Sequence, residues 1–191
     1  MKRLKSSFIC MVIIVMTACS LQGNSYDDTS QIPKSLLVQK LKIQNENKEF
    51  TTYEPVNLET AKEVLPFLYR TPNKLPFKYV DPKVTIDVLK NIQDQEKIKV
   101  STTFSSKDGI GESLVYEVTN YNFTLDLIIK NQTYDKKLKI NGQEAYFSQY
   151  NESSGRLQWR DEDTEISLEY NNLSKGNVQK ELVKVAKYLT N

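Results

Sequence analysis

The chain has 191 residues, no histidine and 2 cysteines, which excludes Ser-His-Asp and Cys-His nucleophile systems and the usual zinc sites. Its 26 basic and 24 acidic residues give a formal +2, but Lys2, Arg3 and Lys5 crowd the extreme N-terminus. Without those three the count is 23 against 24, or −1, so there is no electrostatic case for nucleic acid.

The same three cations form the positive n-region of a secretory signal. Phe8 to Ala18 follows as an uncharged, mostly apolar run of 11 residues. A bilayer span needs about 20 residues, whereas a signal h-region needs about 7–15. Met16-Thr17-Ala18-Cys19 resembles a bacterial lipobox, with Met16 where leucine is more usual. The resemblance implies removal of residues 1–18 and a thioether-linked diacylglycerol on Cys19. Two acyl chains hold a protein firmly, at about 0.8 kcal/mol per buried methylene. Cys10 lies in the discarded segment, so the mature chain would keep no thiol for a disulfide, a metal or a nucleophile. Such an exported protein must be held together by its core.

Residues 19–33 continue with "SLQGNSYDDTSQIP", polar and small, as a flexible tether from the lipidated cysteine. Its reach is about 20 Å as a coil and about 45–50 Å fully extended. Residues 34–191 are long enough for a single domain with a real core. The stretch 35–44 reads equally as a short helix or a strand. In 57–67, Asn57 is a candidate N-cap, and Leu58, Ala61, Val64 and Leu65 share one helical face. Pro66 should end that helix, and Pro72, Pro76 and Pro82 should keep 69–82 extended and irregular.

The middle reads as strands. Residues 97–105 are rich in β-branched side chains, and 113–120 alternate Leu114, Tyr116 and Val118 against polar neighbours. Residues 122–131 alternate Phe123, Leu125, Leu127 and Ile129, which predicts another strand after a turn or bulge at Asn120-Tyr121. Asn141-Gly142 between strand-like segments predicts a type I′ hairpin, and 155–170 repeat the pattern around a charged turn. In 177–191, Val178, Leu182, Val185, Ala186 and Leu189 line one side of a helix with Asn177 as N-cap. The expected fold class is α+β: an antiparallel β-meander of about 6–7 strands, one face dry, covered by an N-terminal and a C-terminal amphipathic helix.

Leu65-Pro66-Phe67, the P-x-x-L-P run from Pro72 to Pro76, Gly142 before a strand, Trp159 before a hairpin turn and the final helix at Leu182–Leu189 occur in a set order. That order resembles an uncharacterised domain at the C-termini of Gram-positive lipoproteins and membrane-bound anti-sigma factors. The resemblance spans residues 57–190. It departs from the pattern where Phe77-Lys78-Tyr79 stands in place of a Gly-Tyr after the L-P pair. The family is distantly similar to lipoprotein carriers and stress sensors that fold a curved sheet over helices. The resemblance implies a fold and a location, and no activity.

No catalytic, cofactor or metal set is read from the residues. No serine stands in an S-x-x-K or G-x-S-x-G context. Asp161, Glu162, Asp163 and Glu165 lack the central glycine and ligand spacing of a calcium loop and read as a hairpin tip. Gly109 and Gly111 in 105–113 lack a following G-K-[ST] and read as a loop. Lys136, Lys137 and Lys139 alternate with Leu138 and Ile140 as the wet side of an edge strand. The chain is therefore expected to be a lipid-anchored, non-enzymatic module at the extracytoplasmic face of the cell membrane. It would bind or sense a ligand in an apolar groove. That ligand would be a lipid, an acyl group or a protein segment; the alternative is an interaction or structural lipoprotein that docks a partner in an envelope complex without a groove.

Overall fold

A computed structural model describes residues 40–89, 97–109, 111–122, 124–172 and 176–189, all within the compact unit Gln31–Asn191. The apolar run, Cys19 and the tether lie outside the described residues.

Among the described residues, nine strands form one antiparallel sheet: β1 Ile43–Glu46, β2 Phe50–Tyr53, β3 Val84–Leu89, β4 Lys97–Ser105, β5 Ser113–Thr119, β6 Lys136–Ile140, β7 Gln143–Asn151, β8 Ser154–Asp161 and β9 Thr164–Asn171. Their spatial order is β1-β2-β3-β4-β5-β9-β8-β7-β6. The sheet is thus two meanders, β1–β5 and β6–β9, joined where β5 pairs with β9. Nine strands replace the six or seven expected. The additional ones are the short β1 and β2 and the Val-Thr-Ile-Asp-Val-Leu strand β3.

Period-two alternation makes one face dry. Val84, Ile86 and Val88 of β3 stand beside Thr102, Val100 and Ile98 of β4. Leu114, Tyr116 and Val118 of β5 stand beside Tyr170, Leu168 and Ile166 of β9, and Leu157 and Trp159 continue the row on β8. All are buried. The other face carries Lys99, Ser101, Glu117, Arg156, Ser167 and Glu169.

Three helices are described. Helix α1, Leu58–Val64, starts as expected: the Asn57 side-chain oxygen accepts the Thr60 N–H at 2.8 Å. Leu65 closes it by donating to the Ala61 carbonyl, and Pro66 forbids a further turn. Helix α3, Val178–Leu189, is also as expected. The Asn177 side chain accepts the Lys180 N–H, and Val178, Leu182, Val185, Ala186 and Leu189 are buried. It packs on β8, β9 and the edge strand β6. At the β6–β7 hairpin Asn141 and Gly142 have φ of 48° and 93°, the two positive values a type I′ turn requires.

One expected strand is a helix. Residues Leu125–Asn131 form α2, and the turn anticipated at Asn120-Tyr121 takes the chain out of the sheet. There the Asn120 oxygen accepts the Ile98 N–H at 2.7 Å, and the Thr119 hydroxyl donates to the Tyr121 carbonyl. The physical reason is topological. The edge of β5 that a next strand would occupy is taken by β9, so the chain crosses from the middle of the sheet to its far edge. On the way, α2 is moored to the wet face. The buried Glu165 carboxylate accepts the N–H groups of Thr124 and Leu125, at 3.0 and 3.1 Å. Gln158 donates to the Thr124 hydroxyl, and Arg160 pairs with Asp126. Tertiary anchors here override β propensity.

The helix separates two leucines that a strand would place on one side. Leu125 is 2% exposed and Leu127 is 58% exposed. Leu125→Ala is therefore expected to cost about 2–3 kcal/mol in urea unfolding, and Leu127→Ala at most about 0.5 kcal/mol. Equal costs would restore the strand.

Candidate functional site

The proline-rich segment 65–83 does not drift into solvent. It runs across the dry face of the sheet as a strap. The Tyr69 ring stacks on Tyr116 at 5.5 Å between centroids, and its hydroxyl bonds to that of Thr102 at 2.5 Å. Burial pushes both phenols up from their usual range and keeps them neutral. Arg70 pairs with Asp161 at 2.9 Å, and Gln143 donates to the same carboxylate at 2.7 Å. Further on, Phe77 stacks on Tyr170 and Tyr79 meets Phe104 edge to face. The Tyr170 phenol is pushed up to about 12 by burial and the nearby Glu112 and Glu181.

The strap then pairs briefly with the β4–β5 turn. Val80 donates its N–H to the Ser105 carbonyl at 3.0 Å, and Lys107 donates to the Lys78 carbonyl at 2.9 Å. These backbone bonds bring together residues 25 and 29 positions apart. The result is an open depression of about 590 Å³ lined by Asn73, Lys74, Leu75, Phe77, Lys78, Tyr79, Asp81 and Lys107. Its floor is half-buried aromatic and aliphatic surface, and its rim carries three lysines against one aspartate. It is not the apolar groove of the sequence expectation: its lining mixes charged and apolar side chains. Beneath the strap, Trp159, Tyr116, Tyr170, Phe104 and Phe147 fill the dry face.

Several of the cations elsewhere on the unit are paired. Lys99 pairs with Glu117, Arg156 with Glu169, Lys137 with Glu144, Arg160 with Asp126 and Lys184 with Glu181. On the open part of the wet face, Tyr121 is pushed up to about 12 by burial and by Asp87, Glu165 and Glu117. Among the described residues, Lys74, Lys78 and Lys107 have no ion-pair partner. Lys74 instead lies 5.4 Å from the Tyr188 ring centre.

The acidic run singled out in the sequence is dispersed by the hairpin that holds it. Asp161 faces the dry side and binds Arg70 and Gln143, while Glu165 faces the wet side and caps α2. Glu162 sits at the turn with φ of 52°. Among the described residues no group of three or more Cys, Asp or Glu side chains is placed to hold a metal ion. Lys136, Lys137 and Lys139 do lie on an edge strand, β6, where Lys136 donates to Gln179 of α3. The loop with Gly109 and Gly111 closes β4 on β5 and contributes Lys107 to the depression. Sequence reading missed Lys74, Lys78 and Lys107. The available signal was the strap's charge: Arg70, Lys74, Lys78 and Lys83 against Asp81 alone.

Among the described residues no helix is long and apolar enough to cross a membrane. No family model matches the chain, and no curated protein or solved structure matches it either.

Proposed function

We propose that the chain is a bacterial lipoprotein, anchored by diacylglyceryl Cys19 at the extracytoplasmic face of the cell membrane, whose folded unit is a non-enzymatic binding module. The observation that carries the reading is the N-terminal series: Lys2, Arg3 and Lys5, the short apolar run to Ala18, Cys19, then a polar tether. We also propose kinship with the domain at the C-termini of Gram-positive lipoproteins and membrane-bound anti-sigma factors. The order of helix, proline-rich strap, hairpins and final helix supports it.

Of the two binding modes, docking at the surface is favoured over carriage of an apolar ligand. The filled dry face supports this choice. Trp159, Leu157, Leu168 and Leu182 are fully buried, and the strap seals Tyr69 and Leu65 over the sheet. An acyl carrier keeps an apolar cavity between sheet and helices for its cargo.

Two measurements test the proposal. Metabolic labelling with a radiolabelled fatty acid should mark the wild-type chain in the membrane fraction, and Cys19→Ser should lose the label. An unlabelled wild type, or a variant labelled as strongly, contradicts the anchor. Native mass spectrometry should find the folded unit without lipid cargo; a stoichiometric copurified lipid contradicts the docking mode.

A further inference from the structure

We infer that the depression between the strap and the β4–β5 turn seats the phosphate-bearing headgroup of an anionic phospholipid, giving the tethered module a second contact with the membrane. The inference rests on the lipoprotein reading for the location of the surface, and on the depression for its chemistry.

Three observations carry it. First, three basic residues, Lys74, Lys78 and Lys107, line the depression against Asp81 alone, and none of the three is in an ion pair with a described carboxylate. Three ammonium groups around one opening leave a local positive potential that a monoanionic headgroup complements. Second, this charge is concentrated against the trend of the chain, which is close to neutral once the first residues are set aside. Third, the same opening exposes apolar surface. Leu75, Phe77 and Tyr79 line it, and Val80, between Tyr79 and Asp81, is 47% exposed. Lysines around an apolar patch suit an interface with charged heads above acyl chains, because the long stems lie along apolar surface while the ammonium groups stay at headgroup level. An acidic peptide would satisfy the lysines but would leave Val80 and the aromatic floor without a comparable partner.

The consequence is orientation. On the lipoprotein reading, an anchor at Cys19, separated from Lys34 by 14 residues of polar sequence, does not by itself orient the module at the bilayer. A headgroup in the depression presents the strap side to the membrane and turns the polar face of the sheet outward. The tether also raises the effective concentration of the depression at the surface, so a weak intrinsic affinity suffices.

The test uses the chain from residue 19 onward, produced without an acyl group. That form keeps the whole described core, Leu41 to Leu189. It is sedimented with vesicles of phosphatidylcholine alone and of an equal mixture with phosphatidylglycerol. Binding is expected only to the anionic vesicles, falling as salt is added. Each lysine at an anionic surface is worth about a fivefold change in partition, so the triple variant Lys74→Gln, Lys78→Gln, Lys107→Gln should bind about a hundredfold more weakly. Lys137→Gln with Lys139→Gln, on the β6 edge, should bind like the wild type. No phosphatidylglycerol-dependent binding, an unaffected triple variant, or equal loss in the β6 variant overturns the inference. Capture of an oligo-aspartate peptide by a chain that ignores anionic vesicles also overturns it, and assigns the depression to an acidic protein segment. Because the probe chain carries no lipid, these outcomes are independent of whether Cys19 is acylated.

Discussion

Trp159→Ala is expected to destabilise the unit by about 3–5 kcal/mol, the largest single-residue effect in the dry core. Trp159 is fully buried on β8. Its register neighbours are Ala145 of β7 and Ile166 of β9. The small Ala145 leaves the room that the indole fills, so truncation opens a cavity bordered by β strands, which relax little. Among the described residues the indole N–H has no hydrogen-bond partner. A buried unpaired donor carries its full desolvation cost. Trp159→Phe removes that donor along with some volume, so the two effects oppose. The phenylalanine variant should therefore lose no more than about 1.5 kcal/mol. Urea unfolding followed by far-UV circular dichroism reads both, since the fluorophore is gone. Similar losses for the two variants would mean that the indole N–H is satisfied and that its hydrogen bond matters.

Glu165→Ala is the second large effect, expected at about 3 kcal/mol. Its carboxylate takes the Thr124 and Leu125 N–H groups and the Thr124 hydroxyl from a 4%-exposed position. Hydrogen bonds to a charged acceptor contribute about 1.5–3 kcal/mol each, and alanine strands the donors beneath α2. Glu165→Gln keeps one acceptor oxygen and should lose about half as much. Hydrogen exchange at the Thr124 and Leu125 amides locates the damage: protection there should collapse in the alanine variant while the amides of β4 keep theirs. Uniform loss across the sheet would mean that Glu165 holds the sheet rather than the crossover.

What the residues reveal before folding depends on how local the deciding interaction is. Asn57 and Pro66 bracket α1 from within its own turn. Asn141-Gly142 sets its hairpin through two φ angles, and α3 announces its buried stripe in five positions. None of these needs a distant partner. Helix α2 does. Its apolar residues alternate like a strand, and its first turn is moored by Glu165, forty positions later, together with Gln158 and Arg160. The same long range hides the depression, because Lys78 and Lys107 meet only through a backbone bond between strap and turn. Conversely, the run Asp161 to Glu165 looks like one site in sequence. Strand alternation sends Asp161 and Glu165 to opposite faces, so proximity in the chain is cancelled by the pleat.

The strap shows a related limit. Four prolines from Pro66 to Pro82 identify it as extended and non-helical, and it is. Composition does not reveal that it covers the dry face, because its anchors Tyr69, Phe77 and Tyr79 are matched by rings on β4, β5 and β9. An irregular segment takes its place from what it packs against.

The most direct test of the account is the mass of the mature N-terminal peptide, released by protease from the membrane fraction. The account predicts a peptide that begins at Cys19 and carries a diacylglyceryl group. A peptide beginning at Met1, or at a residue beyond Cys19 with no lipid, contradicts it.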